Sequence, residues 1–266
     1  MAEPQGKGGR GRIVLAMTGA SGAPYAIRLL QVLARTDLEI HLTISPSGAA
    51  VIRQELGLTV DVRRPDLMSL LRFRPAWSRA ASSQDAGGPG AAGGPTRAAG
   101  EQTAGGPTRA AGEPTPGDPV AAGVGDDTDA ADGIDPSRIR CHAYDDYMTP
   151  IASGSFRTDA MVVCPCSGST LSGIARAAAA NLIQRAAEVH LKEHRKLVLV
   201  PRETPMSTIQ LENMHRLALA GAVLLPAMPG WYHDIHSLDC LVDFIVSRIL
   251  DQLDIDNRLI GRWGET

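Results

Sequence analysis

Two apolar stretches of the sequence are each followed by small and hydroxyl-bearing residues, a combination that suits the binding of an anion. Ile13–Met17 is followed by the glycine-rich stretch Thr18–Gly22, and Met161–Cys164 is followed closely by Ser167–Thr170. Glycine lets a ligand approach backbone N–H groups, and the N-terminus of a following helix favours negative charge. The same residues also suit plain turns in which Ser21 or another hydroxyl caps the next helix. Spacing alone leaves both interpretations open.

Charged side chains in the second half of the chain suit phosphate binding and proton transfer. Arg202 and Glu203 closely follow the apolar run Leu197–Val200. An arginine supplies a fixed cation, and a glutamate can exchange a proton. Arg185 and Lys192 are seven residues apart, so a helix places both on one face. That face could hold a phosphate, or it could be an ordinary solvated surface with ion pairs.

Aromatic and histidine residues add two further possibilities. Trp231 and Tyr232 lie in a loop rich in glycine and proline. They suit a pocket wall for an apolar group, with the phenol available to an anion; the alternative is that they anchor the loop to the core. His190 and His194 are four residues apart, but no further ligand pattern accompanies them. We therefore predict no metal site.

The elements that must position these residues alternate along the chain. The apolar runs that we expect to form strands are Ile13–Met17, Ile40–Ile44, Met161–Cys164, Leu197–Val200 and Ala222–Leu225. A helix-like segment follows each run, and the last of these segments is Ser237–Leu253. Residues Ala26, Leu29, Leu30 and Leu33 fall on one face of the first helix. Such alternation predicts a parallel sheet covered on both faces, with ligands bound beyond the carboxyl ends of the strands.

The bulk composition narrows the function classes. The chain has 266 residues, a formal net charge of −3 and 44% hydrophobic content, so it can bury one sizeable core and gives no support for nucleic-acid binding. No apolar stretch reaches the roughly 18 residues of a membrane span, and the polar start of the sequence does not resemble a signal peptide. The four cysteines form no CxxC pair, which favours a cytoplasmic chain with reduced thiols.

Residues 76–135 differ in composition from the rest of the chain. They consist mainly of Gly, Ala, Pro, Thr and Asp, and the sequence AGGPTRAAGE occurs twice, at 92–101 and 104–113. Such a segment cannot bury enough surface to offset its ordering entropy. We predict a single domain over residues 1–266 with a disordered insertion at 76–135; the alternative is an interdomain linker. The first 75 residues are too short and incomplete for a separate α/β domain.

Several motifs taken together resemble the flavin prenyltransferases, the UbiX-type proteins. They are TGASGAPYAIRLL, ASGSF, PCSGSTLSGIA, RAAEVHLKEHRKLVLVPRETP, GAVLLPAMPGWYH and LVDFIVSRILDQL. The similarity covers about residues 12–72 and 139–255. It implies a flavodoxin-like or Rossmann-like doubly wound sheet in three α/β/α layers. It also implies a homododecamer built from trimers, with active sites at subunit contacts.

The resemblance implies a specific reaction. A dimethylallyl group passes from dimethylallyl monophosphate to N5 and C6 of reduced FMN, without a metal. The product, prenylated FMN, is handed to a UbiD-type decarboxylase. Two alternatives stay open, which are an FMN-dependent flavoprotein similar to the cysteine decarboxylases and a non-catalytic FMN-binding module.

The resemblance also implies roles for individual residues. Those expected to contact FMN are Gly19, Ala20, Ser21, Ser45, Ser167, Gly168, Ser169, Thr170 and Arg202. Those expected to bind the prenyl phosphate substrate are Arg185, Lys192, Tyr232 and Arg248, together with Tyr147. Those expected to take part in catalysis are Glu203, Ser21, Arg185, Lys192 and Glu55. Tyr147 stands where the family often carries Trp, and a tyrosine still offers a π face.

Overall fold

The computed structural model describes residues 11–78, 134–232 and 235–264, and six strands in these ranges form one parallel sheet. The strands are β1 (Arg12–Met17), β2 (Glu39–Ile44), β3 (Ile139–His142), β4 (Ala160–Cys166), β5 (Lys196–Pro201) and β6 (Val223–Leu224). Their order across the sheet is β3-β2-β1-β4-β5-β6, with every neighbouring pair parallel. The predicted doubly wound parallel sheet is therefore confirmed.

Helices cover both faces of this sheet. They include α1 (Ala23–Leu33), α2 (Pro46–Leu56), α3 (Leu67–Leu71), α4 (Gly168–Ala175), α5 (Leu182–Lys192), α6 (Thr208–Leu219) and α7 (Leu238–Gln252). The buried apolar residues form two clusters, one with α1, α2, α3 and α7 and the other with α4, α5 and α6. Successive residues of β1, such as Val14 and Leu15, point into opposite clusters because strand side chains alternate between faces. This explains why the strands are continuous apolar runs and confirms the three layers.

The sequence pattern identified the packed helix faces correctly. Ala26, Leu29, Leu30 and Leu33 are all fully buried in α1, and burial of one leucine stabilises the fold by about 2 kcal/mol. The predicted last helix is α7, which begins after Ser237, whose side chain accepts a hydrogen bond from the Cys240 backbone N–H. Within the described ranges, no helix has both the length and the apolar character needed to cross a membrane.

The two edge strands were the least well predicted. Of the expected run Ala222–Leu225, only Val223–Leu224 forms a strand, although the Leu225 N–H also donates to the Leu199 carbonyl of β5; the Ala222 N–H instead closes the end of α6 on the Leu217 carbonyl. Strand β3 has four residues, of which one is buried, so it shows no continuous apolar run. It pairs with β2 although residues 76–135 separate the two in sequence. Residues 79–133 lie outside the described residues, so disorder of this insertion and the domain limits stay predictions.

The order of the strands defines where a ligand should bind. From β1 the chain proceeds outward through β2 to β3, and then returns to the other side of β1 to form β4, β5 and β6. The carboxyl ends of β1 and β4 are therefore the topological switch point of the sheet, where neighbouring loops diverge and leave a crevice.

Candidate active site at the carboxyl edge of the sheet

Hydrogen bonds join the loops that follow β1 and β4. The buried Thr18 hydroxyl donates to the Pro165 carbonyl oxygen at 2.7 Å and accepts from the Ser167 backbone N–H at 2.8 Å. Thr18 was not among the predicted site residues, because its role depends on a partner 149 positions away in sequence. The side chain fixes the two predicted anion-binding loops next to each other at the switch point.

The turn after β1 packs closely against the start of α2. A Cβ atom at Gly19 would lie 2.5 Å from Cβ of Ser47, closer than non-bonded carbon atoms approach, so the turn requires glycine. Ser45 caps α2 by accepting from the Gly48 N–H at 2.9 Å, and its Oγ lies 3.1 Å from Oγ of Ser47. The turn thus presents backbone and hydroxyl groups together.

The N-terminus of α1 shows which residue caps this helix and rules out one of the two interpretations of Ser21. The cap of α1 is Gly22, with φ at 120°, and the side chain of Ser21 is exposed, so the alternative in which Ser21 caps this helix is wrong. The Glu55 carboxylate takes over that function by accepting from the N–H groups of Gly22 at 3.0 Å and Ala23 at 2.8 Å. Glu55 therefore reaches the β1 turn, and the Ser21 hydroxyl is free of a capping role.

Hydroxyl groups also gather at the start of α4. The Ser167 Oγ accepts from the Thr170 N–H at 3.3 Å and donates to the Thr170 Oγ1 at 3.0 Å. The Ser169 Oγ lies 3.2 Å from the same Ser167 oxygen. The helix-capping and anion-binding interpretations of this loop are therefore compatible, because a capping serine and two further hydroxyls share one helix N-terminus.

Arg202 and Glu203 extend this cluster to the end of β5. The Arg202 Nε donates to the Ser21 carbonyl oxygen at 3.2 Å, which joins β5 to the turn after β1. The Glu203 carboxylate accepts from Nε2 of Gln210 at 3.2 Å. A Cβ atom at Gly168 would lie 4.0 Å from the Glu203 Oε2. Residues predicted from four separate loops are thus neighbours at one edge of the sheet.

Arg185 and Lys192 lie outside this hydrogen-bonded cluster. Both are on α5, as the seven-residue spacing predicted. The Arg185 guanidinium donates to the Ala152 carbonyl oxygen at 3.1 Å and pairs with Glu188 at 3.2 Å. Lys192 pairs with Glu193 at 2.7 Å, at the C-terminal end of the helix. Their described hydrogen bonds and ion pairs hold these cations beside residues 152–154 and not against the switch-point turns.

Tyr232 and Arg248 are placed around Phe244 on α7. The Tyr232 ring meets Phe244 edge-on with centroids 5.8 Å apart. Arg248, one turn further along α7, pairs with Asp251 and lines a cavity of about 300 Å³ against β6 that Phe244 also lines. Tyr147 lies elsewhere, on the loop after β3, where its hydroxyl donates to the Ala179 carbonyl oxygen at 3.2 Å. In one chain Tyr147 therefore lies apart from the two side chains placed around Phe244.

Burial accounts for the two cysteines near the β4 loop. Cys164 and Cys166 are fully buried, which raises the pKa of the Cys166 thiol to about 12 and that of Cys164 further in the same direction. Both are therefore protonated, packed side chains. Among the described residues, no three His, Cys, Asp or Glu side chains are grouped as metal ligands would be.

Comparison with known proteins gives the class and then the family. A family model described as Flavoprotein matches residues 128–250. Together with the wound parallel sheet, this match defines an α/β flavoprotein. The chain is 40% identical over 254 residues to the flavin prenyltransferase UbiX of Pseudomonas aeruginosa, covering 96% of this chain and 94% of that protein. It is 37% identical to the UbiX of Halalkalibacterium halodurans, covering 96% and 95%. The chain belongs to the flavin prenyltransferase family.

Solved structures agree with this assignment. The crystal structure of AnUbiX in complex with FMN and dimethylallyl pyrophosphate matches with a TM-score of 0.64 and 33% identity, covering 97% of this chain and all of that chain. A dodecameric FMN-dependent UbiX-like decarboxylase from Escherichia coli O157:H7 matches with a TM-score of 0.65 and 32% identity, covering 95% and 98%. The flavodoxin-like fold is therefore confirmed.

Proposed function

We propose that this protein binds FMN at the carboxyl edge and transfers a dimethylallyl group from dimethylallyl monophosphate to N5 and C6 of the reduced flavin. The product is prenylated FMN, which a UbiD-type decarboxylase consumes. The observation that carries the proposal is the convergence of three hydroxyl-bearing turns with Arg202 and Glu203 at the switch point. The FMN and dimethylallyl pyrophosphate in the AnUbiX structure support it.

The residues at this edge fit a flavin phosphate chemically. Hydroxyls of Ser45, Ser167, Ser169 and Thr170 stand at the N-termini of α2 and α4, where N–H groups and the helix dipole favour an anion. The glycine at position 19 allows a ligand to approach the backbone. Arg202 would add a cation for a polar edge of the flavin. Glu55 already occupies the N-terminus of α1, so the phosphate would belong to the other two helices.

The remaining predicted residues fit the chemistry of an allylic phosphate. Breaking its C–O bond leaves an allylic cation and inorganic phosphate, and Arg185, Lys192, Arg248 and the Tyr232 hydroxyl would stabilise the charge that develops on the phosphate. Bound reduced flavin supplies the electron-rich N5 and C6 atoms that form the new bonds. Tyr147 would offer a π face to the cation. Glu203 would carry the proton released on bond formation, and Ser21 would relay it.

A glycine-to-alanine change tests the flavin site. Gly19→Ala is expected to weaken FMN binding at least about tenfold, because the new Cβ forces the β1 turn and α2 apart. The measurement is titration of the variant with FMN, followed by quenching of flavin fluorescence. Gly261→Ala is the matched control, since a Cβ there meets no atom within 4 Å. Unchanged FMN affinity in Gly19→Ala would remove this turn from the binding site.

We further propose that neighbouring subunits complete the site. Arg185 and Lys192 lie outside the switch-point cluster of their own chain, and the UbiX-like protein of E. coli is a dodecamer. A subunit contact that sets α5 of one copy against the carboxyl edge of another would add both cations to the flavin site. The family resemblance implies such a homododecamer, with catalytic sites at the contacts.

Mixed oligomers test the sharing of the site. Lys192→Met and Glu203→Gln are each expected to lose about a hundredfold or more in prenylation rate. When the two variants are co-expressed, mixed oligomers can be purified through two different tags. These oligomers should regain up to about one quarter of the wild-type rate, because random assembly forms some sites with both residues intact. The control pair is Lys192→Met with Arg185→Met, which lie on one helix and should not complement. Absence of recovery in the first pair would place both residues in one chain's site.

The test of the function itself is the mass of the flavin. Protein, FMN, a reductant and dimethylallyl monophosphate are incubated without oxygen, and the released flavin should gain a C5H8 unit. Retained FMN binding without that gain would indicate a non-catalytic FMN-binding module. Decarboxylation of a peptidyl cysteine with oxidised flavin would instead support the alternative of a cysteine decarboxylase-like protein.

A further inference from the structure

The Gln210 side chain lies between Glu203 and the start of α6. Its Oε1 accepts from the Ser207 backbone N–H at 2.8 Å, and its Nε2 donates to the Glu203 Oε2 at 3.2 Å. A backbone N–H can only donate, so the amide oxygen must face Ser207 and the NH2 group must face the carboxylate. The orientation of the amide is therefore fixed by its two partners.

Two further contacts restrict where the Gln210 amide can go. The Ser207 Oγ accepts from the Gln210 backbone N–H at 3.2 Å, which completes a reciprocal capping box at the N-terminus of α6. On the other side, a Cβ atom at Gly168 would lie 3.1 Å from the Gln210 Nε2. The amide is thus held between α6, the Glu203 carboxylate and the turn that begins α4.

We propose that Gln210 is a positioning residue that holds the Glu203 carboxylate against the Gly168 turn of the flavin site. Glu203 is partly exposed on the loop after β5, and a side chain in that setting samples several rotamers unless a partner fixes it. A proton-transfer group acts only when it lies within hydrogen-bonding reach of the reacting atom. This inference rests on the proposed function, because it assumes that Glu203 transfers a proton.

The test replaces Gln210 by methionine, which keeps the length of the side chain and removes both hydrogen bonds. Gln210→Met is expected to lower kcat for anaerobic prenylation about tenfold, while the KM for dimethylallyl monophosphate and the FMN affinity stay within about twofold. A purely structural role would instead lower stability with kcat unchanged, or would lower kcat together with weaker binding of substrate and FMN. The measurement is steady-state kinetics with the flavin product quantified by mass spectrometry.

Two controls separate positioning from folding. Ser207→Ala removes the hydroxyl that caps α6 but leaves the backbone N–H that holds the Gln210 Oε1, so its melting temperature should fall by a few degrees while kcat is kept. The double variant Glu203→Gln with Gln210→Met should be no slower than Glu203→Gln alone, because Gln210 acts through Glu203.

The outcomes distinguish this inference from the function on which it rests. Normal kcat in Gln210→Met, with Glu203→Gln slow, would overturn the positioning role and leave the proposed function standing. A double variant whose kcat falls by the product of the two single-variant losses would also overturn the positioning role, since the two residues would then act independently. Normal turnover in Glu203→Gln, or a wild type that adds no C5H8 unit, would reject the assumed role of Glu203 or the proposed function instead.

Discussion

Glu203→Gln is expected to slow prenyl transfer about a thousandfold while FMN affinity stays within about twofold. Glutamine keeps the shape of the side chain and an oxygen that can face Gln210, but it cannot take up and release a proton near neutral pH. The proposed FMN contacts come from the Gly19–Ser21 turn, Ser45, the Ser167–Thr170 loop and Arg202, and none of them needs a charge at position 203. The loss should therefore appear in the chemical step and not in binding.

Single-turnover kinetics give the cleanest measurement of this effect. Enzyme preloaded with reduced FMN is mixed anaerobically with excess dimethylallyl monophosphate, and the prenylated flavin is quantified over time. The matched control is Glu212→Gln, a carboxylate on the exposed surface of α6 that should leave the rate unchanged. A rate in Glu203→Gln within about threefold of the wild type, far below the effect of losing a general acid–base, would rule out proton transfer by this residue.

The sequence predicted the features that depend on neighbouring residues. The positions of the four central strands followed from apolar runs, and the packed face of α1 followed from helical spacing. Ser45 and Ser167 are caps of helices that begin directly after strands, so hydroxyls at strand ends indicated both the local structure and the candidate site. Parallel strands then brought these loops to one edge, because all their carboxyl ends point the same way.

Features that depend on tertiary contacts were not available from the sequence. The carboxylate that caps α1 comes from Glu55, 33 residues after Gly22, so the local pattern suggested Ser21 instead. Gln210 was missed for a similar reason. The Ser207-x-x-Gln210 spacing indicates a capping box, but only the fold shows that the amide also reaches Glu203. Likewise, helical spacing placed Arg185 and Lys192 on one face without indicating which surface that face would meet.

The stability of the fold is expected to fall as the pH drops from 6.5 towards 4, because the core holds neutral histidines. Burial lowers the pKa of His190 from 6.5 to about 4, and its ring is bonded to the Ala186 carbonyl oxygen and the Thr158 hydroxyl. Burial also lowers the pKa of His41 to about 4, with His142 in contact at 2.8 Å and Glu39 at 3.6 Å.

The sign of the effect follows from proton binding. Below pH 6.5 the unfolded chain protonates these histidines, whereas the folded chain stays neutral until about pH 4. The unfolded state therefore binds more protons in this window, and the free energy of unfolding decreases as the pH falls. For His190 alone the loss approaches about 3 kcal/mol near pH 4, a large part of the stability of a typical domain.

Denaturant unfolding at several pH values between 7.5 and 4.5 measures this dependence. The informative quantity is how much less the free energy of unfolding of His190→Gln changes with pH than that of the wild type. Carboxylates that also titrate in acid contribute equally to both proteins. The variant should be less stable at pH 7.5 but should lose less stability on acidification, because it removes one group that the unfolded chain protonates. His215→Gln, on the exposed surface of α6, should keep the full wild-type slope. Parallel slopes for wild type and His190→Gln would show that His190 is protonated equally in the folded and unfolded chains.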